Sequence, residues 1–336
     1  MCGTPRQAVD ADETVVAGLV TTACSGDRRA VARLLTLVER GGEPADAVAE
    51  ATHLLAAGAQ VVGITGAPGS GKSTLTDGLA ASLAGAGRRP AVLAVDPSSP
   101  LTGGAILGDR VRMEAAATAG AFIRSMATRG HAGGLALAVP GMIRVLDACG
   151  FDPVLVETVG VGQVEVDVAS AADTVVVVVT AGWGDAVQAN KAGLLEIADL
   201  FVVNKADRPG AHEARRDLEL MLDLSEVTGQ AVDRPAVMLT TATEGTGIDD
   251  LWSAIQVHHG RLVAEGRLVG RRTRRHRAEV RSRLEHLLTE AVEARIADLP
   301  ALPDEVPGRV ARRLADELLG EQGSRSGGRK ARPVPR

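Results

Sequence analysis

The sequence predicts an α/β fold: a doubly wound, mostly parallel sheet with helical extensions at its N-terminal and C-terminal ends. Between residues 59 and 260, short apolar segments of strand length alternate with helical stretches. These segments are apolar throughout, as strands are when helices cover both faces of a parallel sheet. Outside this region, apolar residues recur at helical spacing instead.

Six segments have the length and composition of buried strands: 61–65, 91–95, 154–157, 174–179, 200–203 and 236–240. Residues 1–58 are rich in alanine and are predicted to form a helical extension. Two helices are expected there, at 27–39 and at about 44–57. The apolar residues of the first fall at helical spacing: Val31, Leu34, Leu35 and Val38.

The C-terminal region, 261–320, is predicted to be helical and to mediate dimerisation, the second role resting on the family resemblance described below. Its apolar residues form two stripes: Leu284, Leu287, Leu288 and Val292 in one, and Leu314, Leu318 and Leu319 in the other. The run 271–277 is mostly arginine, and a solvent-exposed helix face is its favoured interpretation. Residues 321–336 have the composition of a disordered basic tail.

Composition narrows the class of protein. The net charge of the 336 residues is −5, which gives no general reason to expect a nucleic-acid partner. No apolar run approaches the roughly 18 residues that a membrane helix needs, so no membrane association is expected. The three cysteines, Cys2, Cys24 and Cys149, are scattered, which argues against a disulfide framework and fits a cytoplasmic protein.

Lysine and asparagine are scarce. Of 37 basic residues only four are lysines, and only two asparagines are present. A bias toward arginine makes each remaining lysine informative, because guanidinium cannot copy a compact ammonium at a crowded phosphate. Lys72, Asn204 and Lys205 fall in nucleotide-binding motifs, and Lys191 becomes a candidate functional residue by the same reasoning. Lys330 lies in the basic tail.

The strongest motif is GAPGSGKST at 66–74, which satisfies G-x-x-x-x-G-K-[ST] between a predicted strand and a predicted helix. Backbone N–H groups of such a loop, together with the helix N-terminus, bind phosphate oxygens. Lys72 is expected to reach the β- and γ-phosphates, Ser73 to ligate Mg²⁺ and Thr74 to touch the α-phosphate. The predicted phosphate-binding residues are Gly66, Ala67, Pro68, Gly69, Ser70, Gly71, Lys72, Ser73 and Thr74.

A second motif, NKAD at 204–207, directly follows a predicted strand. Asp207 can accept hydrogen bonds from N1–H and the 2-amino group of guanine, whereas adenine offers neither donor. The stem of Lys205 can pack on the base, and Asn204 can tie the loop together. A look-alike, Asn190-Lys191-Ala192, follows no predicted strand and is rejected as the base-reading loop. The two motifs together predict GTP and GDP as ligands, with Mg²⁺.

A third, shorter motif follows the last predicted strand and consists of Thr241, Ala242 and Thr243. GTPases commonly place a loop of small residues here, and one of its backbone N–H groups reads guanine O6. An ordinary strand-to-helix turn is almost as good an interpretation.

Carboxylates at the ends of predicted strands are candidates for Mg²⁺ binding and hydrolysis. Glu157 opens the sequence E-T-V-G and is expected to hold Mg²⁺ or to orient the attacking water, while the Gly160 N–H senses the γ-phosphate. Asp96, which begins D-P-S-S-P, and Asp109 are further candidate metal ligands. A helix N-cap is the alternative interpretation of all three acids. The predicted catalytic residues are Lys72, Glu157, Gly160 and Gln163.

With these motifs in place, the chain resembles the MeaB/ArgK-type GTPases over residues 20 to 295. The shared segments are the P-loop, D-P-S-S-P at 96–100 leading to G-A-I-L-G-D-R-x-R-M at 104–113, E-T-V-G-V-G-Q at 157–163 and N-K-x-D at 204–207. The resemblance implies a homodimeric GTPase with C-terminal dimerising helices and a slow intrinsic rate that a partner stimulates. It also implies a chaperone for adenosylcobalamin-dependent acyl-coenzyme A mutases, typically methylmalonyl-coenzyme A mutase. Such a chaperone gates cofactor delivery and protects or rescues the mutase.

The family's third switch follows the strand that is here 174–179, and it usually reads P-G-x-G-D-x-x-Q-x-x-K-x-G. By resemblance, the switch residues of this chain are Asp185, Gln188 and Lys191. Ala181 replaces the usual proline, and Trp183 is an unusual bulky residue in a glycine-rich loop.

Three other functions are alternatives to this one. A metallochaperone GTPase that inserts nickel needs Cys and His ligands, but no cysteine lies near His131, His258 or His259, and the adjacent pair is interpreted as solvent-exposed helix-end residues. A kinase of a transport system needs a phosphoacceptor site, for which the sequence shows no motif. A nucleotide-free dimerisation module is disfavoured by the intact P-loop and NKAD motifs.

Overall fold

The computed structural model describes residues 6–96, 113–127, 134–158, 170–182, 191–227, 234–299 and 306–325. The chain divides into two compact units, the first ending at Glu279 and the second beginning at Val280. The predicted limits at residues 58, 260 and 320 stay predictions. Helix continues across two of them, since one helix runs through residue 260 and another reaches Arg325.

The centre of the first unit, within the described ranges, is a seven-stranded sheet in which every neighbouring pair is parallel. Its strand order is β3-β2-β4-β1-β5-β6-β7. On one side of β1 lie β4, then β2, then β3 at the edge of the sheet. On the other side lie β5, β6 and β7, in the order of the chain. The strands are β1 Val61–Gly66, β2 Ala91–Asp96, β3 Phe122–Ala127, β4 Val154–Thr158, β5 Thr174–Val179, β6 Leu200–Asn204 and β7 Ala236–Thr240.

Helices cover both faces of this sheet. One buried core joins it to α1, α2, α3, α6 and α8, and the other joins it to α4, α5 and α9. The predicted doubly wound parallel sheet is therefore confirmed. The described helices are α1 Arg6–Cys24, α2 Arg28–Arg40, α3 Gly42–His53, α4 Lys72–Gly85, α5 Glu114–Ala119, α6 Gly134–Ala148, α7 Lys191–Ile197, α8 Ala211–Val227, α9 Ile248–Ala264, α10 Arg267–Ala297 and α11 Pro307–Arg325.

Helix α2 shows why the N-terminal extension forms. Asp27 caps it, because the Asp27 carboxylate accepts hydrogen bonds from the backbone N–H groups of Arg29 at 2.7 Å and Ala30 at 3.0 Å. Its predicted apolar face is buried, and Leu34 and Leu35 are both 0% exposed. Burying each leucine side chain contributes roughly 2 kcal/mol, which holds α2 against the sheet.

Strand β3 was not among the six predicted strands. It lies at one edge of the sheet and contains the polar residues Arg124 and Ser125, so it is not apolar throughout. Arg124 is accommodated because its guanidinium donates to Glu39 at 2.6 Å and to Thr36 at 3.2 Å, both on α2. A strand with a charged residue that finds its partners on a neighbouring helix cannot be detected from apolarity alone.

Only part of the arginine run of α10 is exposed to solvent, as Arg274 and Arg277 are, so that interpretation was wrong for Arg271 and Arg272. Arg272 donates to Asp173 at 2.7 Å, and Asp173 also accepts from the Val61 N–H at 3.1 Å. Arg271 donates to both carboxylate oxygens of Asp199, at 2.5 and 2.7 Å. These aspartates stand at the starts of β5 and β6, so the arginines attach α10 to the amino ends of the central strands.

Asp199 has a further partner on α9, in addition to Arg271. It also lies 3.3 Å from His258 Nε2, and only 9% of its side chain is exposed. Burial acts to raise the pKa of Asp199, but hydrogen bonds from His258 and Arg271 outweigh burial and lower the pKa from 3.8 to about 2. Because the folded pKa lies below the unfolded one, this stabilisation is present above pH 4 and is lost as the pH falls toward 2.

We expect Asp199→Asn to lower the free energy of unfolding by about 2 kcal/mol at neutral pH, with a smaller difference from wild type at pH 3. Urea unfolding at pH 7, 5 and 3 measures this difference. Asp223→Asn is the control, because the Asp223 carboxylate is 57% exposed and pairs with Arg234 at the surface. A deficit for Asp199→Asn that stays constant from pH 7 to pH 3 would contradict the assignment.

Within the described ranges, no helix combines the length and the apolar character that crossing a bilayer requires.

Candidate functional site

The loop 66–74 joins the end of β1 to the start of α4, as the motif predicted. At two positions of this loop, neighbouring atoms lie so close to the backbone that only glycine fits. Gly66 has φ +137°, and a Cβ there would overlap the carbonyl oxygen of Val178 on β5. Gly71 has φ +88°, and a Cβ there would overlap the side-chain amide of Asn204. The loop is thus packed tightly between neighbouring strands.

Lys72 is the first residue of α4 and is only 6% exposed. Its ammonium donates to the carbonyl oxygens of Gly66 at 2.7 Å and Ala67 at 3.0 Å. The charge therefore lies against the loop itself, where a compact ammonium fits and a planar guanidinium does not. This is the place from which a P-loop lysine serves bound phosphates.

Ser73 and Glu157 come together although 84 residues separate them. The Ser73 hydroxyl donates to Glu157 Oε1 at 2.6 Å, and Glu157 is 0% exposed. Glu157 lies inside β4, in register with Ile64 of β1 and Ala94 of β2, so the alternative of a helix N-cap does not apply to it. Two oxygen ligands of the kind that Mg²⁺ prefers thus lie side by side at the phosphate loop.

Asn204 connects three segments of the site. Its amide nitrogen donates to the Ser70 carbonyl oxygen at 2.9 Å, on the P-loop. Its amide oxygen accepts from the hydroxyl of Thr240, the last residue of β7, at 3.0 Å and from the Ala242 N–H, in the loop after β7, at 3.2 Å. The residue is 2% exposed, and both ends of its side chain are used. Thr240 is part of this arrangement but was not among the predicted site residues. Its only signal in the sequence is that a threonine ends an apolar strand.

Lys205 and Asp207 directly follow the end of β6. Lys205 has φ +60°, a left-handed conformation that few residues other than glycine adopt. Its ammonium donates to the Gly69 carbonyl oxygen at 2.7 Å, so its aliphatic stem spans the gap between the two loops. Asp207 is exposed to solvent two residues later. A planar base placed between these loops would have the Lys205 stem beside it.

The loop after β7 is closed on itself. Thr241 and Thr246 pair across it, with the Thr241 N–H donating to the Thr246 carbonyl at 3.0 Å. The Ala206 N–H donates to the Thr240 carbonyl at 3.0 Å, which fixes this loop to the NKAD segment. The Ala242 N–H is engaged by Asn204, so an O6 contact through Ala242 would have to share that N–H. Thr243 is the next residue of this exposed turn.

A family model described as methylmalonyl-coenzyme A mutase-associated GTPase MeaB matches residues 31–297. The chain belongs to the MeaB family. A putative GTPase of Pyrococcus abyssi is 50% identical to it over 273 residues, which are 81% of this chain and 84% of that protein. The mitochondrial methylmalonic aciduria type A homolog of Mus musculus is 32% identical over 320 residues, which are 89% and 75% of the two chains.

Among solved structures, the crystal structure of LAO/AO transport system kinase matches with a TM-score of 0.66 and 26% identity, covering 91% of this chain and 98% of that one. The predicted resemblance to MeaB/ArgK-type proteins is thus confirmed, and this MeaB-family protein is a P-loop GTPase. Its P-loop and its NKAD segment stand together at the carboxyl edge of the sheet, where ligands bind in open α/β folds.

Several predicted site residues of this MeaB-family chain lie outside the described residues. They are the metal ligand Asp109, the catalytic residues Gly160 and Gln163, and the switch residues Asp185 and Gln188. The backbone of Asp96 ends β2 and that of Lys191 begins α7, but neither side chain is among those described. The predicted roles of these residues stay predictions.

His258 was interpreted as a solvent-exposed helix-end residue, and this was wrong. It is 6% exposed and lies inside α9, with Nδ1 2.9 Å from the Thr174 hydroxyl and Nε2 3.3 Å from Asp199. Its role is to link α9 with the starts of β5 and β6. In the part of the chain that the structure describes, no group of three or more His, Cys, Asp or Glu side chains could hold a metal ion.

Proposed function

We propose that this chain is a GTP-dependent chaperone of an adenosylcobalamin-dependent acyl-coenzyme A mutase, most simply methylmalonyl-coenzyme A mutase. It would gate cofactor loading and protect or reactivate the mutase. The observation that carries the proposal is the match of residues 31–297 to a family of mutase-associated GTPases. The name of the mouse relative refers to methylmalonic aciduria, which agrees with a partner that acts on methylmalonyl-coenzyme A.

The phosphate part of the proposal rests on the geometry of the P-loop. Backbone N–H groups of residues 66–74 and the N-terminus of α4 would bind the phosphate oxygens. The Lys72 ammonium, held 2.7 Å from the Gly66 carbonyl, would move to the β- and γ-phosphates when GTP binds. Thr74, one residue after Ser73, would contact the α-phosphate.

Binding of the guanine base is supported by the hydrogen bonds that Asn204 makes to the P-loop and to the loop after β7. Because Asn204 ties the P-loop to the loop after β7, the phosphate-binding and base-binding segments are held in one arrangement before ligand arrives. Asp207 would accept from guanine N1–H and the 2-amino group, and the stem of Lys205 would cover one face of the base. Thr241, Ala242 and Thr243 would border guanine O6.

The Ser73–Glu157 pair fits Mg²⁺, since a hydroxyl and a buried carboxylate 2.6 Å apart supply hard oxygen ligands beside the phosphate loop. Ser73 and Glu157 would hold the ion, which when bound offsets the negative charge of the β- and γ-phosphates. Asp96 and Asp109 are proposed as further ligands. Glu157 would also orient the attacking water, together with Gln163, and the Gly160 N–H would contact the γ-phosphate.

Partner sensing would use the segments that contact the γ-phosphate, including Asp185, Gln188 and Lys191 of the third switch. Hydrolysis removes the γ-phosphate, so contacts that depend on it are lost and the partner senses the difference. An unaided GTPase of this general type hydrolyses GTP at about 10⁻³ s⁻¹ or slower, and partners supply up to roughly 10⁵-fold.

The test is the single-turnover rate of GTP hydrolysis by the purified chain, alone and with the methylmalonyl-coenzyme A mutase of the same organism. We expect saturating mutase to raise the rate by roughly 10-fold or more, within the range that GTPase partners supply. Serum albumin at the same concentration is the control protein. A rate that is already fast alone, or one that the mutase leaves unchanged, would contradict partner gating.

We further propose that the chain is a homodimer formed through α10. Its residues from Val280 onward leave a stripe of apolar side chains exposed, among them Leu284 at 55% and Leu287 at 62%. Such a continuous stripe is typical of a helix face that binds another protein surface. We expect wild type to sediment as a dimer and the double variant Leu284→Glu/Leu287→Glu as a monomer with unchanged GTP affinity. A monomeric wild type would refute the dimer.

A further inference from the structure

Two cysteines that lie far apart in the sequence are neighbours in the structure. Cys24 ends α1, and Cys149 follows α6, 125 positions later. Their sulfur atoms are 3.7 Å apart. The Cys24 thiol also lies 3.2 Å from the carbonyl oxygen of Ala148, which holds its sulfur on the side of Cys149. The sequence does not predict this contact, because the spacing of Cys24 and Cys149 along the chain matches no disulfide or metal-binding pattern.

We propose that Cys24 and Cys149 are a redox-modification site and form a reversible disulfide that fastens α1 to the end of α6. A disulfide needs its sulfurs about 2.05 Å apart, so the two side chains must close a gap of less than 2 Å. Neither cysteine belongs to the nucleotide site.

The two thiols differ in their exposure to solvent, and this difference determines which of them reacts first. Cys24 is partly exposed, whereas Cys149 is buried. Burial, followed by the neighbouring Cys24, raises the pKa of Cys149 to about 12. Cys24 is therefore the thiol that an oxidant in solution reaches first, and Cys149 is the resolving thiol.

With hydrogen peroxide as oxidant, the Cys24 thiolate attacks one peroxide oxygen, the O–O bond breaks, and hydroxide leaves and takes up a proton as water. This gives a neutral sulfenic acid at Cys24. The Cys149 sulfur then attacks the Cys24 sulfur, the S–O bond breaks, and the departing hydroxide takes the Cys149 proton as a second water. In total two thiols lose two electrons, and one peroxide is reduced to two waters.

The consequence concerns the N-terminal helices. Helix α1 packs on α2 and α3, and α2 and α3 pack on α6. A covalent link between α1 and the end of α6 closes a long loop that contains β1, the P-loop and β2. Cross-linking a loop of this length lowers the entropy of the unfolded chain and raises stability.

The experiment uses the full chain with Cys2→Ser, so that only the paired cysteines remain. The protein is treated with a small excess of hydrogen peroxide and examined by intact mass, peptide mapping and thermal unfolding. We expect the mass of the single chain to fall by two hydrogens and a peptide to appear that joins Cys24 to Cys149. We also expect the unfolding midpoint to rise by about 5 °C. Dithiothreitol should reverse all three changes.

Two matched variants, Cys24→Ser and Cys149→Ala in the same background, should show neither the mass loss nor the raised midpoint. Cys149→Ala should accumulate a sulfenic acid that dimedone traps at Cys24, and Cys24→Ser should give little trapping at Cys149. The proposal is overturned if the Cys2→Ser chain keeps two free thiols after peroxide, if the disulfides formed join separate chains, or if Cys149 is trapped in preference to Cys24.

Discussion

Asp207→Asn is expected to move the nucleotide preference of the chain from guanine to xanthine. Guanine presents two donors, N1–H and the 2-amino group, which match the two oxygens of a carboxylate. Xanthine presents N1–H and a carbonyl oxygen at the same edge, which match the oxygen and the nitrogen of an amide. Sites built on such pairing reject a mismatched ligand by roughly 10⁴-fold, so we expect GDP affinity to fall by at least about 10²-fold.

Competition between GDP and xanthosine diphosphate for a fluorescent nucleotide measures this change. Asp207 is exposed and Asn204 is the residue that ties the loops together, so the variant should keep the wild-type unfolding midpoint. Asp223→Asn, on α8, removes a carboxylate away from the site and should leave the preference for guanine intact. If the Asp207→Asn chain binds GDP as wild type does and gains nothing for xanthine, Asp207 does not read the base.

Lys72→Ala is expected to lower the rate of GTP hydrolysis on the order of 10³-fold. The ammonium of Lys72 is almost fully buried beside the Gly66 and Ala67 carbonyls, and charge placed in such a site interacts strongly with the phosphates. Lys72→Arg should fail as well, because a planar guanidinium does not fit the space between these carbonyls. Single-turnover hydrolysis and GTP binding, measured in parallel, separate loss of chemistry from loss of affinity.

Lys330→Ala is the matched control, since it removes a lysine of the predicted basic tail. It should hydrolyse GTP at the wild-type rate. Thermal unfolding of all the variants without nucleotide shows whether Lys72→Ala has kept its fold. Hydrolysis by folded Lys72→Ala at the wild-type rate would mean that the P-loop lysine does not serve the phosphates of this chain.

The fold was largely predictable from the sequence because its central strands consist mostly of apolar residues. The segment 174–179, TVVVVV, consists of β-branched residues, which favour a buried strand, and it was predicted with its observed limits. Strand β3 was not predicted because Arg124 interrupts its apolar residues, and the partners of Arg124, Glu39 and Thr36, lie 85 and 88 positions away. An apolar run predicts a strand that is buried in the core. It cannot predict a strand with a polar side chain that forms hydrogen bonds to another helix or strand.

The site was accessible where its chemistry depends on neighbours in sequence. The P-loop places Lys72 and Ser73 by local geometry alone, so a motif is enough to find them. The contact of Ser73 with Glu157 and the role of Thr240 depend on strand order, which the sequence does not state. The arginines of α10 were misread for the same reason: a charged run is solvent-exposed unless buried aspartates such as Asp173 meet it.

The central claim is that the P-loop and the NKAD loop, joined by Asn204, form one site for a guanine nucleotide. Titration calorimetry of the wild-type chain with GDP and with ADP, in magnesium buffer, tests it most directly. We predict one GDP bound per chain, with an affinity roughly 10³-fold or more above that for ADP. No heat of binding with GDP, or equal affinities for GDP and ADP, would contradict the claim.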